Sequence, residues 1–262
     1  MRVKTILILI GMVLSTGSLC AEEAQLAKLF IERNVKGTII ISSLDGKSEY
    51  CYNKERSGNR YLPASTFKIP NTLIALEERA IISEKEIIKW DGKKREWSSW
   101  NRDQSLESAF PISCVWFYQE LARRVGDSRY LFHLDKMQYG NQKTGPDVTT
   151  FWLEGDIRIS AREQIDFLKK LYKGQLPYKK EHLKILKRIM VVDETPKYII
   201  RAKTGWVMRT EHQIGWYVGY VEKSGQVWFF AANIDIEKKS DSAFRKEITM
   251  KALDVLGIIS DK

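Results

Sequence analysis

Cysteine and histidine are scarce, three of each in 262 residues. His133, His182 and His212 lie far apart, with neither H-x-H nor H-E-x-x-H spacing, so no metal site is expected from them. Surface or helix positions suit all three. Long apolar runs are absent too, apart from one near the start. "MRVKTILILIGMVLSTGSLCA" has two early cations, an apolar run and then small residues. The run falls short of the roughly 20 residues that a membrane span needs. This is the layout of a signal peptide, removed after Cys20 or Ala21. A lipid-bearing Cys20 is disfavoured by Leu19, which stands where a small residue would be expected. The expectation is a signal peptide over 1–21 and an exported chain, periplasmic or secreted, without a stable membrane anchor. Cys51 and Cys114 then remain, and they pair only if the fold brings them together. Two free thiols are expected, Cys114 buried and Cys51 near a strand.

No repeat, low-complexity tract or Pro/Gly linker divides residues 22–262, which predicts one domain. Its composition, 44% hydrophobic and 29% charged, is that of a folded protein with a substantial core. The formal charge is +10, and losing Arg2 and Lys4 with the leader makes it +8. The densest basic stretch, "KKLYKGQLPYKKEHLKILKR" (169–188), mixes cations with regular apolar positions. Two amphipathic helices with solvated basic faces account for it. Nucleic acid is not an expected partner of an exported chain.

"GTIIISSLDGKSEYCYN" (37–53) reads as strand, tight turn at Asp45-Gly46, and strand. Helical patterns follow Ser65 and recur at 113–125, 127–137, 160–172 and 181–190. Strand-like runs return at 197–205, 213–222 and 226–236, before a closing helix at about 242–256. Strands at both ends with helices between predict an α+β fold. One antiparallel sheet would be built from the two termini, flanked by helices, with a helical insertion.

Within "YLPASTFKIPNTLIALEERAII" (61–82), Ser65 and Lys68 stand three residues apart, on one face of a helix. A serine hydroxyl needs a neighbour to take its proton. Lysine can do so only when burial holds its amine neutral. This is the only S-x-x-K in the chain, though alone the pattern is weak. Ser113, in "PISCVWFYQELARRVG", is placed to open a helix, where an N-cap is the plain assignment. "KTG" occurs twice, and only the copy at 203–205 ends a strand pattern. There, backbone groups can meet an extended substrate while Lys203 supplies charge. S-x-x-K, a serine on a middle segment and a late K-T-G, in that order, form the set of penicilloyl serine transferases.

At this point the chain resembles the class D serine β-lactamases, or oxacillinases. The resemblance runs through "LPASTFKIPN" (62–71), "KWDG" (89–92), "WNRD" (100–103), Ser113-Cys114-Val115, "YGN" (139–141) and "FWLEG" (151–155). It continues through "RISAREQIDFLKKLY" (158–172), "KTG" (203–205) and "GWYVGYVE" (215–222), nearly the whole mature chain. The chain lacks an S-D-N triplet and a separate deacylating glutamate motif, which favours class D over class A. Cys114 and Trp116 are unexpected in size beside the S-x-V motif and bear on the shape of the pocket.

The resemblance implies a β-lactam hydrolase with no metal and no cofactor beyond carbon dioxide, held as a carbamate on Lys68. That carbamate would be the general base in both half-reactions, favoured by burial near Phe67, Val115 and Leu153. It would be steadied by the indole N–H of Trp152. Ser65 would form the acyl-enzyme, with backbone N–H groups of Ser65 and Trp206 as oxyanion hole. Ser113 would relay a proton to the lactam nitrogen with help from Lys203. Val115, Thr204, Gly205 and Trp206 would line the substrate site, and Arg245 would bind the substrate carboxylate. Arg209 and Glu154 would pair across the site. The short link "WVMRTEHQI" (206–214), with its Arg209, is similar to that of the carbapenem-hydrolysing branch. A β-lactam sensor domain and a D,D-peptidase use the same serine and lysine, and stand as alternatives.

Overall fold

The computed structural model describes residues 22–260, so the expected leader over 1–21 lies outside the described residues. The chain opens with a helix over 22–31, α1, which buries Leu26, Leu29 and Phe30. The hairpin follows as β1 (Gly37–Ser43) and β2 (Glu49–Tyr52), turning where Gly46 takes a left-handed φ of 74°. A short helix, α2 (Lys54–Gly58), leads to a 3-10 turn over Ala64–Phe67 and to α3 (Lys68–Glu77).

The helical insertion then comprises α4 (Leu106–Ala109), α5 (Val115–Val125), α6 (Asp127–Met137), α7 (Phe151–Glu154), α8 (Ala161–Lys173) and α9 (Lys180–Ile189). Its end is a return to the sheet through β3 (Val191–Glu194), β4 (Ile199–Val207), β5 (Ile214–Lys223) and β6 (Gln226–Asp235). The last element is α10 (Phe244–Val255).

Six antiparallel strands form one sheet in the order β2-β1-β6-β5-β4-β3. The hairpin from the N-terminal end pairs directly with the last strand, as the α+β reading requires. Both faces of the sheet are covered, which is why β5 is buried along eight consecutive residues. One core gathers α1 and α10 around Phe30, Phe230 and Leu253. The larger core packs Phe67, Leu73, Phe117 and Leu168 on the opposite face. The basic stretch resolves as the end of α8 followed by α9. Leu183, Leu186 and Ile189 point inward there, while Lys179, Lys180 and Lys184 face solvent. Cys51, in β2, and Cys114 are buried free thiols.

Two histidines sit deeper than a surface assignment implies. His133 on α6 is 1% exposed, with Nε2 2.7 Å from Glu78 and Nδ1 3.0 Å from the Tyr178 hydroxyl. His182 on α9 lies 2.8 Å from Glu77. Adjacent glutamates at the end of α3 therefore tie that helix to two others. Only His212 is exposed.

Candidate active site

Ser65 lies in the 3-10 turn that precedes α3, where positions i and i+3 eclipse one another. That geometry, tighter than an α-turn, aligns Ser65 with Lys68. The Lys68 Nζ donates to Ser65 Oγ at 3.0 Å. Two bonds onto the Pro63 carbonyl hold the turn closed, from the Thr66 N–H at 3.1 Å and the Thr66 hydroxyl at 2.7 Å. Ala64, just before the serine, has φ 47°, a left-handed conformation unusual for a residue with a side chain. Such strain persists only where surrounding bonds over-determine it.

Lys68 is 1% exposed. Its amine lies 5.1 Å above the Tyr118 ring. Beside it Phe67 stacks on Trp152 at 5.9 Å and meets Phe151 edge-on at 5.0 Å. Burial in these dry surroundings lowers the amine to about 7. The indole N–H of Trp152 is fully buried without a hydrogen-bond partner among the described residues. An orphaned buried donor is rare and calls for an acceptor.

A second serine–lysine pair stands opposite. Ser113 has φ 57°, and Lys203 Nζ donates to its Oγ in a short contact. Lys203 comes from β4, is 4% exposed, and is held well below the usual lysine range. Burial is the main cause, and repulsion from Lys68 and Arg245 adds to it. Two positions further on, Gly205 lets β4 run against the Ser65 turn. A Cβ there would stand 2.9 Å from the Pro63 carbonyl oxygen and 3.1 Å from the Thr66 methyl. The glycine of K-T-G is a steric requirement here.

Between the pairs opens a cleft of about 590 Å³. Ser65, Ser113, Val115, Thr204, Gly205 and Trp206 line it, with Arg245 at one end. Lys68, Lys203 and Trp152 are buried and do not line it. Arg245, in the first turn of α10, is mostly buried and lowered to about 10 by that burial. Its Nε and Nη1 have no partner, and its guanidinium lies 5.9 Å from the Trp206 ring. A cation held this way has unspent donors for an incoming carboxylate. At the rim, Arg209 Nη1 donates to Glu154 at 2.9 Å. Both side chains are exposed, so the pair is worth little to stability and matters chiefly for where it holds the wall.

Of the ten site residues expected from the sequence, seven line the cleft, Lys68 and Lys203 bond to its two serines, and Trp152 stacks on Phe67. One local assignment changes. Ser113 does not cap a helix, because α5 begins at Val115 with Cys114 as its cap. A turn closes first, through Cys114 N–H onto the Ala109 carbonyl at 2.9 Å. It rotates Ser113 out of the helical register and toward Lys203. Sequence reasoning also missed Tyr118 beneath Lys68, and Trp97 and Trp100 on the wall. The run of tryptophans at 90, 97 and 100 was a signal for such a wall.

The chain is similar to known proteins in sequence and in fold. A model of the penicillin binding protein transpeptidase domain matches residues 37–254. Beta-lactamase OXA-48 of Klebsiella pneumoniae is 42% identical over 224 residues, covering 86% of this chain and 84% of that protein. Beta-lactamase OXA-20 of Pseudomonas aeruginosa is 40% identical over 234 residues, covering 88% and 86%. The solved class D β-lactamase YbXI from Nostoc superposes with a TM-score of 0.87 at 41% identity, covering 89% of this chain and 98% of that one. FUS-1 (OXA-85), a class D β-lactamase from Fusobacterium nucleatum subsp. polymorphum, gives 0.88 at 34% identity, covering 90% and 99%.

Proposed function

The chain belongs to the class D serine β-lactamases and hydrolyses β-lactam antibiotics, and we propose that it does so through an ester on Ser65, with Lys68 carboxylated as general base. The observation that carries this reading is the buried Lys68 amine, 3.0 Å from Ser65 and lowered to about 7. An amine with that pKa is substantially neutral at physiological pH and can attack carbon dioxide, releasing a proton as the carbamate forms. The orphaned Trp152 N–H would hold the resulting anion. The carbamate supplies an anionic oxygen base for the Ser65 proton and for the deacylating water. A negative charge at Lys68 also turns its repulsion of Lys203 into attraction, which favours a charged Lys203.

The remaining residues divide the work. Ser65 Oγ bonds to the lactam carbonyl carbon, and backbone N–H groups of Ser65 and Trp206 receive the developing oxyanion. As the ring C–N bond breaks, Ser113 passes a proton to the nitrogen, with Lys203 beside it as donor. Arg245 takes the substrate carboxylate, and Val115, Thr204 and Gly205 shape the site around the ring. Water then cleaves the ester and Ser65 regains its proton.

Penicillins are the main substrates of this reading, with modest imipenem hydrolysis from the Arg209–Glu154 wall. Export to the periplasm or medium, with loss of residues 1–21, completes it. Among the described residues no helix is long and apolar enough to cross a membrane. Nitrocefin added to the purified mature protein tests the function. Repeated turnover is expected, lost in Ser65→Ala. A single acylation without release would point to a sensor, and slow or absent release with cell-wall peptide cleavage to a D,D-peptidase.

A further inference from the structure

Trp116 is 6% exposed and does not line the cleft, yet its indole N–H donates to the Trp100 carbonyl at 2.7 Å. Trp100 in turn donates its own indole N–H to the Ile112 carbonyl at 3.0 Å. That carbonyl belongs to the peptide unit joining Ile112 to Ser113. The N–H of the same unit is bonded to Phe110 O at 3.2 Å, so this plane is fixed from both edges. The plane after Ser113 is fixed by Cys114 N–H onto Ala109 O. Two pinned planes define the φ between them, which here is the left-handed 57° of Ser113.

The outer end of this chain of bonds is anchored as well. Arg95 lies 5.5 Å above the Trp116 ring and is clamped to Asp91 by two bonds of 2.8 Å. Asn101 bonds Arg95 in both directions, accepting from its N–H at 2.8 Å and donating to its carbonyl at 3.0 Å.

We propose that Trp116 is a positioning residue for Ser113, acting through the Trp100 indole on the Ile112–Ser113 peptide. The proposal rests on Ser113 relaying the proton in acylation. A serine whose φ relaxes carries its hydroxyl away from Lys203, and the proton transfer loses its alignment. Deacylation, which runs through Lys68, does not pass through this link. Trp116 thereby explains its size next to the S-x-V motif: it packs away from the substrate and acts on the serine by hydrogen bonds.

The test is a double-mutant cycle on the acylation rate, read by stopped-flow with nitrocefin on Trp116→Phe, Ser113→Ala and the double variant. Trp116→Phe keeps the ring under Arg95 and removes the donor. It is expected to slow acylation about 10-fold, leave deacylation unchanged, and add nothing in the Ser113→Ala background. A wild-type acylation rate, or an equal loss in both backgrounds, overturns the proposal. Should Trp116→Phe fail to fold, Trp116→Met goes through the same cycle under the same criteria, because it also removes the N–H from the Trp100 carbonyl. Wild-type turnover in this assay reports separately on the hydrolase reading.

Discussion

Trp152 has two properties that a side chain in a core does not ordinarily combine. Its ring is fully buried and stacked on Phe67, and its N–H is bonded to nothing. Packing explains the ring alone. The carbamate proposed on Lys68 would account for both. Trp152→Phe separates the two, since it keeps the aromatic surface and deletes the donor. A hydrogen bond to a charged group is worth about 1.5–3 kcal/mol, so deacylation should slow by roughly 10- to 100-fold. Acyl-enzyme should then accumulate in the mass spectrum of a reacting sample. Steady-state kinetics equal to wild type would leave Trp152 as packing.

At the scale of elements, the site is assembled where β4 passes the 3-10 turn of Ser65, and the walls come from loops. The link from β4 to β5 is short and carries Arg209, whose partner Glu154 ends α7. Arg209→Ala frees that wall without touching Ser65 or Lys68. Imipenem hydrolysis should fall several-fold while penicillin turnover stays within about two-fold, as expected for an exposed pair that steers one substrate. Equal losses on both substrates would remove this role from the pair. Long elements were legible because their periodicity is long: β4, β5, β6, α5, α6, α8 and α9 lie close to where apolar spacing puts them. Most short ones were not, β2 excepted because the Asp45-Gly46 turn marks its start. β3, α4 and α7 span four residues each, too few for a period to declare itself. Ser113 shows a different limit. Its proline-led turn and following apolar run suit a cap, and the bonds from Ser113 N–H to Phe110 O and from Cys114 N–H to Ala109 O redirect it. Motif order located the chemistry, whereas the indole contacts behind it depend on tertiary packing that local spacing does not encode.

Across the whole molecule, α3 carries the site at one end and its glutamates at the other. Arg129 bonds Glu78 at 2.5 and 2.9 Å, and with His133 it holds the carboxyl near 2 despite some burial. The carboxyl's pKa is lower folded than unfolded, so its stabilisation is present above about 4.5 and is lost as pH falls toward 2. His133, lowered chiefly by burial, adds in the same direction, since the unfolded chain takes up its proton first below about 6.5. The melting temperature should therefore drop as pH falls from 7, first through His133 below about 6.5 and then through Glu78 from about 4.5 toward 2. Glu78→Gln should melt lower at pH 7 and lose less between pH 4.5 and pH 2. A drop of the same size in both proteins would place the acid sensitivity elsewhere.

Every step of the proposed reaction depends on Lys68 working as a carbamate. Nitrocefin turnover by the mature protein, held below pH 7 in carbon dioxide-free buffer and then given bicarbonate at constant pH, tests it most directly. With its amine near 7, Lys68 protonates under those conditions, and a carbamate there would be lost. Activity should fall on depletion and return with bicarbonate, while Lys68→Ala stays inactive throughout. Turnover indifferent to bicarbonate after full depletion would contradict it.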